Sequence, residues 1–137
     1  MEGKPLPAFD MLLIDSTKIS SRNVGKNTQS ILFVLSPVCP YCKAQTEEIL
    51  DNIKLFDTVQ IYMITNWPYG SMNEYYKRYN LKKYNNITVG YDYENYLQNR
   101  FKIDGVPFIA IYSKEKILKQ VLIGKSKPSL IKEILSD

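Results

Sequence analysis

The chain of 137 residues contains no histidine. That absence excludes every histidine-based triad, every histidine general base and every histidine metal ligand. Long apolar runs are missing as well. The longest pure one, residues 31–35, is far short of the roughly 18 residues a membrane helix needs and suits a buried strand. A soluble chain is expected. Charge of one sign is not concentrated either: 18 Lys and Arg against 14 Asp and Glu give +4, divided as −1 over residues 1–68 and +5 over 69–137. The later positives are interleaved with Glu74, Asp92, Glu94, Asp104, Glu115 and Glu133, the pattern of an ordinary solvated face and not of a nucleic-acid surface. There is no internal repeat, low-complexity tract or interior linker, and the length suits one domain over 1–137. The opening Met1-Glu2-Gly3-Lys4 lacks the basic segment and apolar stretch of a signal peptide. Such a start fits a trimmed chain or the mature end of an exported protein equally well.

What is present alternates between two periods. Residues 9–14 read as a short strand, and 31–36 as a β-branched, apolar strand for the middle of a sheet. From 40 to 53 the period changes: Cys42, Thr46, Ile49, Leu50 and Ile53 share one face at three- or four-residue spacing, which predicts an amphipathic helix opened by Pro40. A strand at 59–65 ends at Asn66-Trp67-Pro68-Tyr69-Gly70. Beyond it the expected elements are a helix at 71–81, a strand at 87–91, a helix at 94–101, a strand at 108–113, its hairpin partner at 117–123 and a closing helix at 128–135. The hairpin turn Ser113-Lys114-Glu115-Lys116 lacks the usual glycine. This alternation predicts an α/β fold: a mixed, mainly parallel central sheet with helices on both faces and an antiparallel final hairpin.

The only cysteines are Cys39 and Cys42, in Cys39-Pro40-Tyr41-Cys42. Cys39 falls where a buried strand gives way to a helix, so unpaired amides and the positive end of the helix dipole face its sulfur and favour the thiolate. Cys42 lies one turn further in, placed to attack Cys39 once a mixed disulfide has formed. As a structural staple the pair is poor, because so short a loop restricts the unfolded chain by only about 2 kcal/mol. A zinc site fails because two thiolates with no histidine and no second pair cannot complete four ligands. The spacing therefore points to redox chemistry, with no metal and no cofactor.

Downstream, Ile103-Asp104-Gly105-Val106-Pro107-Phe108 sets a proline at the start of an apolar strand, where its missing amide is tolerated. Together with Cys-Pro-Tyr-Cys, this stretch makes the chain resemble the thioredoxin-like superfamily, with Val106-Pro107 matching the loop that presents a cis-proline to the active cysteines. Within it the chain is most similar to the TlpA/ResA-like branch. Residues 3–9 resemble that branch's Gly-x-x-x-Pro-x-Phe opening, residues 72–91 its extra helix-strand insert, and residues 96–108 the approach to the cis-proline.

The resemblance implies an extracytoplasmic thiol-disulfide oxidoreductase of the periplasm or cell envelope, in a branch often tethered to a membrane by a segment outside the given sequence. It implies protein thiol or disulfide substrates, a redox partner protein and a monomer. Cys39 and Cys42 would be catalytic, with Val106, Pro107, Pro40 and Tyr41 binding substrate. The chain also departs from its relatives. Phe33 stands where thioredoxin has a buried aspartate, Gln45 where the ResA-like branch has a glutamate, and Val38 where an aromatic usually precedes the first cysteine. The group that deprotonates Cys42 is thus open.

Other readings carry less of the chain. Cys-Pro-Tyr-Cys is the glutaredoxin tetrad, but the Gly-Gly turn that helps hold glutathione is replaced by Ile123-Gly124-Lys125. Ser36, three before Cys39, resembles the peroxiredoxin motif, whose proline would fall at Leu32. A thioredoxin-fold interaction module with little turnover is the remaining alternative, and a thiol peroxidase the third. Eight of the 11 tyrosines lie between 69 and 96 and read mainly as half-buried packing, with a substrate or partner surface as the second possibility.

Overall fold

The structure, a computed structural model, describes residues 2–24 and 27–137. The elements run β1 (Asp10–Leu13), β2 (Lys18–Ser20), β3 (Gln29–Val34), α1 (Pro40–Asp51), β4 (Val59–Thr65), α2 (Tyr69–Arg78), β5 (Ile87–Tyr91), α3 (Tyr96–Phe101), β6 (Phe108–Tyr112), β7 (Leu118–Ile123) and α4 (Pro128–Ser136). All seven strands join one sheet in the order β2-β1-β5-β4-β3-β6-β7. Its middle strands are apolar on both faces because both faces are covered. Ile31, Phe33 and Leu35 pack with Ile61 and Met63 under α1, α2 and α4. Their neighbours Leu32 and Val34 turn the other way, with Tyr62 and Ile64, toward Phe9, Met11 and α3. The two-residue period of the strands thus builds two cores from one sheet.

The sheet corrects the expectation of a mainly parallel arrangement. Only β3–β4 and β4–β5 pair in parallel, whereas β1–β2, β1–β5, β3–β6 and β6–β7 are antiparallel. Parallel pairing needs a crossover, and α1 and α2 supply the only two that link adjacent strands. The path through α3 returns the chain on the far side of β3, where β6 runs backwards and hairpins into β7. Strand β2 was not expected at all. Three residues give period 2 too little room, and the strand depends on the Asp15–Thr17 turn, where Asp15 accepts from the Thr17 amide at 3.1 Å and its hydroxyl at 2.6 Å. The final hairpin forms without glycine because Lys116 takes the left-handed conformation, φ 63°.

Helix starts also shift. Pro68 precedes α2, which begins at Tyr69 and not at 71; it ends at Arg78, before the left-handed Asn80, leaving Leu81–Lys83 as a 3₁₀ turn. The left-handed Asn95 delays α3 to Tyr96, and the buried Asp92 carboxylate accepts from the Tyr96 and Leu97 amides at 3.0 and 2.8 Å. A carboxylate at that end satisfies two orphan amides and complements the helix dipole. The helix and strand expected from residues 72–91 are α2 and β5. Most of the tyrosines there pack: Tyr69, Tyr76, Tyr79, Tyr84 and Tyr91 all lie against the first core.

One close approach joins β1 to β5 within the sheet. A Cβ built on Gly90 of β5 would stand 2.5 Å from Sδ of the fully buried Met11 on β1. Gly90→Ala should therefore destabilise the protein by about 1–3 kcal/mol, the usual cost of overpacking, read as a lower urea midpoint. Adding Met11→Ala should recover part of that loss, whereas simple additivity of the two changes would mean that the contact is not the cause.

Candidate active site: a cysteine pair at a helix start

Strand β3 hands the chain directly to the site. Leu35 extends it with an amide bonded to the Ile64 carbonyl at 2.9 Å, Ser36-Pro37-Val38 turns, and Cys39 takes the N-cap of α1 in an extended conformation. Pro40 follows at the first helical position, where no amide is needed. The Cys39 amide donates to the Ser36 carbonyl at 3.1 Å, while the Cys39 carbonyl accepts the first helical bond from Lys43, also at 3.1 Å. No side-chain hydrogen bond caps this helix, so the amides of its first turn face the partly exposed Cys39 end.

Both cysteines are free thiols, and they differ sharply in environment. Cys42 is wholly inside the first core, 0 % exposed. Burial pushes its thiol up from the ordinary 9.0 to about 12, against the downward pull of a Ser36 backbone hydrogen bond, and the neighbouring Cys39 side chain adds to the rise. Cys39 Sγ lies 3.9 Å from the Val106 carbonyl, to which it donates a long sulfur hydrogen bond. The Val106–Pro107 peptide is cis. Pro107 is buried behind Val106 and its carbonyl accepts from Gly124 at 2.8 Å, which ties this loop to the end of β7. Pro40 and Tyr41 lie at the solvent side of the helix start, Tyr41 67 % exposed, with the exposed Val38 on the other side of Cys39. The structure thus brings Val106 to the cysteine, buries Pro107 next to it in sequence and leaves Pro40 and Tyr41 open to solvent.

Around Cys42 the polar groups are neutral. Phe33 is a core residue, 0 % exposed. Gln45, equally buried, uses both ends of its amide on one backbone position: Nε2 donates to the Ser126 carbonyl at 2.9 Å and Oε1 accepts from the Ser126 amide at 2.7 Å. Thr46 donates to the Cys42 carbonyl at 2.9 Å and sits 2.6 Å from the Tyr75 hydroxyl, which is itself 3.3 Å from that carbonyl. Burial raises the Tyr75 phenol, and both cysteines add to the effect, so it stays protonated. Sequence reasoning placed Thr46 on the face of Cys42 but missed both pairings, because no local pattern singles out Tyr75 from its neighbours or joins position 45 to 126. Among the described residues no three His, Cys, Asp or Glu side chains converge as a metal site would require.

The Gln45 pairing has a measurable consequence. A carboxylate at position 45 would set an oxygen against the Ser126 carbonyl, whereas the protonated acid reproduces both hydrogen bonds. The folded-state pKa of the new acid should then lie above its unfolded value of about 4.3. Its stabilising contribution is present below the unfolded pKa and is lost as pH rises through the folded one. Gln45→Glu should thus match the parent near pH 4 and fall about 1–3 kcal/mol below it by pH 8 in urea titrations. An equal difference at both pH values would mean that the Ser126 carbonyl does not govern this site.

No known sequence family matches the chain, and no curated protein matches it. Solved structures do. A protein of Aquifex aeolicus VF5, provisionally described as an electron-transfer protein, superposes with a TM-score of 0.82 at 13% identity, covering 98% of this chain and 92% of that one. The thioredoxin domain of a Bacteroides vulgatus thiol-disulfide oxidoreductase gives 0.75 at 14% identity, covering 97% and 94%. A secreted Mycobacterium tuberculosis disulfide oxidoreductase, homologous to E. coli DsbE, gives 0.74 at 17% identity, covering 92% and 93%. With a mixed sheet, helices on both faces and strands ordered as described, the chain has the thioredoxin-like fold of these oxidoreductases.

Proposed function

We propose that the chain is a thiol-disulfide oxidoreductase of the TlpA/ResA-like kind, acting outside the cytoplasm on protein substrates through Cys39 and Cys42. The observation that carries this reading is the contrast between the two sulfurs: one partly exposed at a helix start beside a backbone carbonyl, the other buried one turn below. Similarity to solved oxidoreductases supports the chemistry, and the secreted relative among them supports the compartment.

In the reducing direction the Cys39 thiolate attacks one sulfur of a substrate disulfide. A Cys39–substrate bond forms and the other substrate sulfur leaves as a thiolate. The Cys42 thiolate then attacks Cys39 Sγ, forming the Cys39–Cys42 disulfide and releasing the second substrate thiolate. Two electrons pass to the substrate, and its two thiolates take up the protons that Cys39 and Cys42 lost. Oxidation of a dithiol substrate is the same sequence reversed. In this reading the Val106 carbonyl, 3.9 Å from the reacting sulfur, accepts a hydrogen bond from an extended substrate backbone, and Pro107, Pro40 and Tyr41 contact the same substrate segment.

Burial of Cys42 makes the second step depend steeply on pH. Below a pKa of about 12 its thiolate fraction rises about tenfold per unit. Replacing Cys42 with Ser should leave Cys39 joined to substrate as a long-lived mixed disulfide, while Cys39→Ser should abolish both capture and turnover. In the parent, release from the mixed disulfide should quicken about tenfold per pH unit between about pH 7 and 9. Stopped-flow release kinetics and non-reducing gels read both effects. Trapping by the Cys39→Ser protein, or a flat pH profile, would overturn the assignment.

A further inference from the structure

Two grooves flank the cysteine pair, and they carry opposite charge. The one on the α2 side is lined by Lys43 and Arg78 against a single acid, Glu74. The other, about 260 Å³ on the α3 side, is lined by Ser36 from the turn before Cys39, Asn66 and Trp67 from the end of β4, Gln98 of α3, and Asp104 and Val106 from the loop before β6. It is continuous with the proposed site, since the Val106 carbonyl that meets Cys39 Sγ at 3.9 Å belongs to the same lining residue. Its outer wall is held in place: Asn66 Nδ2 donates to Asn95 Oδ1 and to Gln98 Oε1, both at 2.9 Å, and the Trp67 amide donates to Thr65 Oγ1 at 3.1 Å.

The chemistry of this groove is narrow. Trp67, the only tryptophan of the chain, lines this groove and is 37 % exposed. Asp104 is solvent-exposed, is the one ionisable side chain among the described lining residues, and has no ion-pair partner among the described residues. An aromatic ring and an unpaired carboxylate lining one groove fit a long side chain with an apolar stem and a cationic head. A carboxylate-bearing side chain would meet Asp104 with like charge.

Resting on the redox reading above, we infer that this groove receives the segment of a protein substrate next to its reacting cysteine and selects Lys or Arg there. The aliphatic stem lies on the Trp67 ring and the charge faces Asp104. The α2-side groove, with its excess of positive charge, takes no part in that selection.

The test separates recognition from redox chemistry. Capped, tryptophan-free hexapeptides carry Ser at the attacked position and Arg, Leu or Glu beside it, and are titrated into the full chain to millimolar concentration while Trp67 fluorescence is followed. The Arg peptide should change the emission and bind about fivefold more tightly than the Glu peptide, the scale of one exposed ion pair plus a cation–π contact. That preference should shrink in high salt and shrink likewise in Asp104→Asn, while Trp67→Phe should retain binding as read by calorimetry. Unchanged fluorescence with all three peptides, or a Glu peptide bound as tightly as the Arg one, would overturn the inference. Because no peptide carries sulfur, these outcomes do not depend on turnover; loss of disulfide exchange in the parent would instead count against the redox reading alone.

Discussion

Strand β3 has no solvent face, and much of the molecule follows from that. Residues 31–35 alternate between two cores, so each side must be covered. The covering on one side begins at once, because α1 starts within a few residues of the end of β3 and folds back over Phe33 and Ile31. Burying a Leu, Ile or Phe side chain is worth about 1.5–3 kcal/mol, so the turn into α1 is held by far more than local propensity. The turn must pass from a carboxyl strand end to a helix start, and Cys39 is the residue at that junction. Carboxyl ends of strands are also where open α/β sheets leave crevices, which is where both grooves lie.

The same covering decides the fate of the second sulfur. One turn into α1 the helix faces the core, so Cys42 is dry while Cys39 is wet. The buried polar side chains on this face of α1 are neutral and already engaged: the Gln45 amide is spent on Ser126, and the hydroxyls of Thr46 and Tyr75 are turned to the Cys42 carbonyl. A buried polar set of this kind is stable because every member has a partner. It also ties α1 to α2 and to the loop after β7, elements far apart in sequence. An acid placed near this cysteine would have to displace one of those pairings.

Much of this was legible before any coordinates. Strands β4 and β5 have the bounds that their apolar runs suggest, since covered strands need no alternation. Pro40 marked the start of α1, and the cis bond lies at Val106–Pro107, where the resemblance implied it. What escaped was non-local. The start of α3 depends on Asp92 reaching forward to the Tyr96 and Leu97 amides, and on a left-handed Asn95. The sense of strand pairing depends on the path of the chain and not on composition, which is why a mixed sheet with four antiparallel pairings looked mainly parallel in sequence. Pairs such as Gln45 with Ser126, or Thr46 with Tyr75, join positions with no shared pattern.

The central claim is that Cys39 and Cys42 exchange reversibly between dithiol and disulfide within one chain. The most direct measurement equilibrates the protein in dithiothreitol and glutathione redox buffers of known potential, quenches with an alkylating agent and weighs the products. The account predicts two species only, the doubly alkylated dithiol and an unalkylated intramolecular disulfide, interconverting at a midpoint between about −270 and −120 mV, the span of related active pairs. Persistence of two alkylatable thiols across that whole range, or oxidation solely to disulfide-linked dimers, would contradict it.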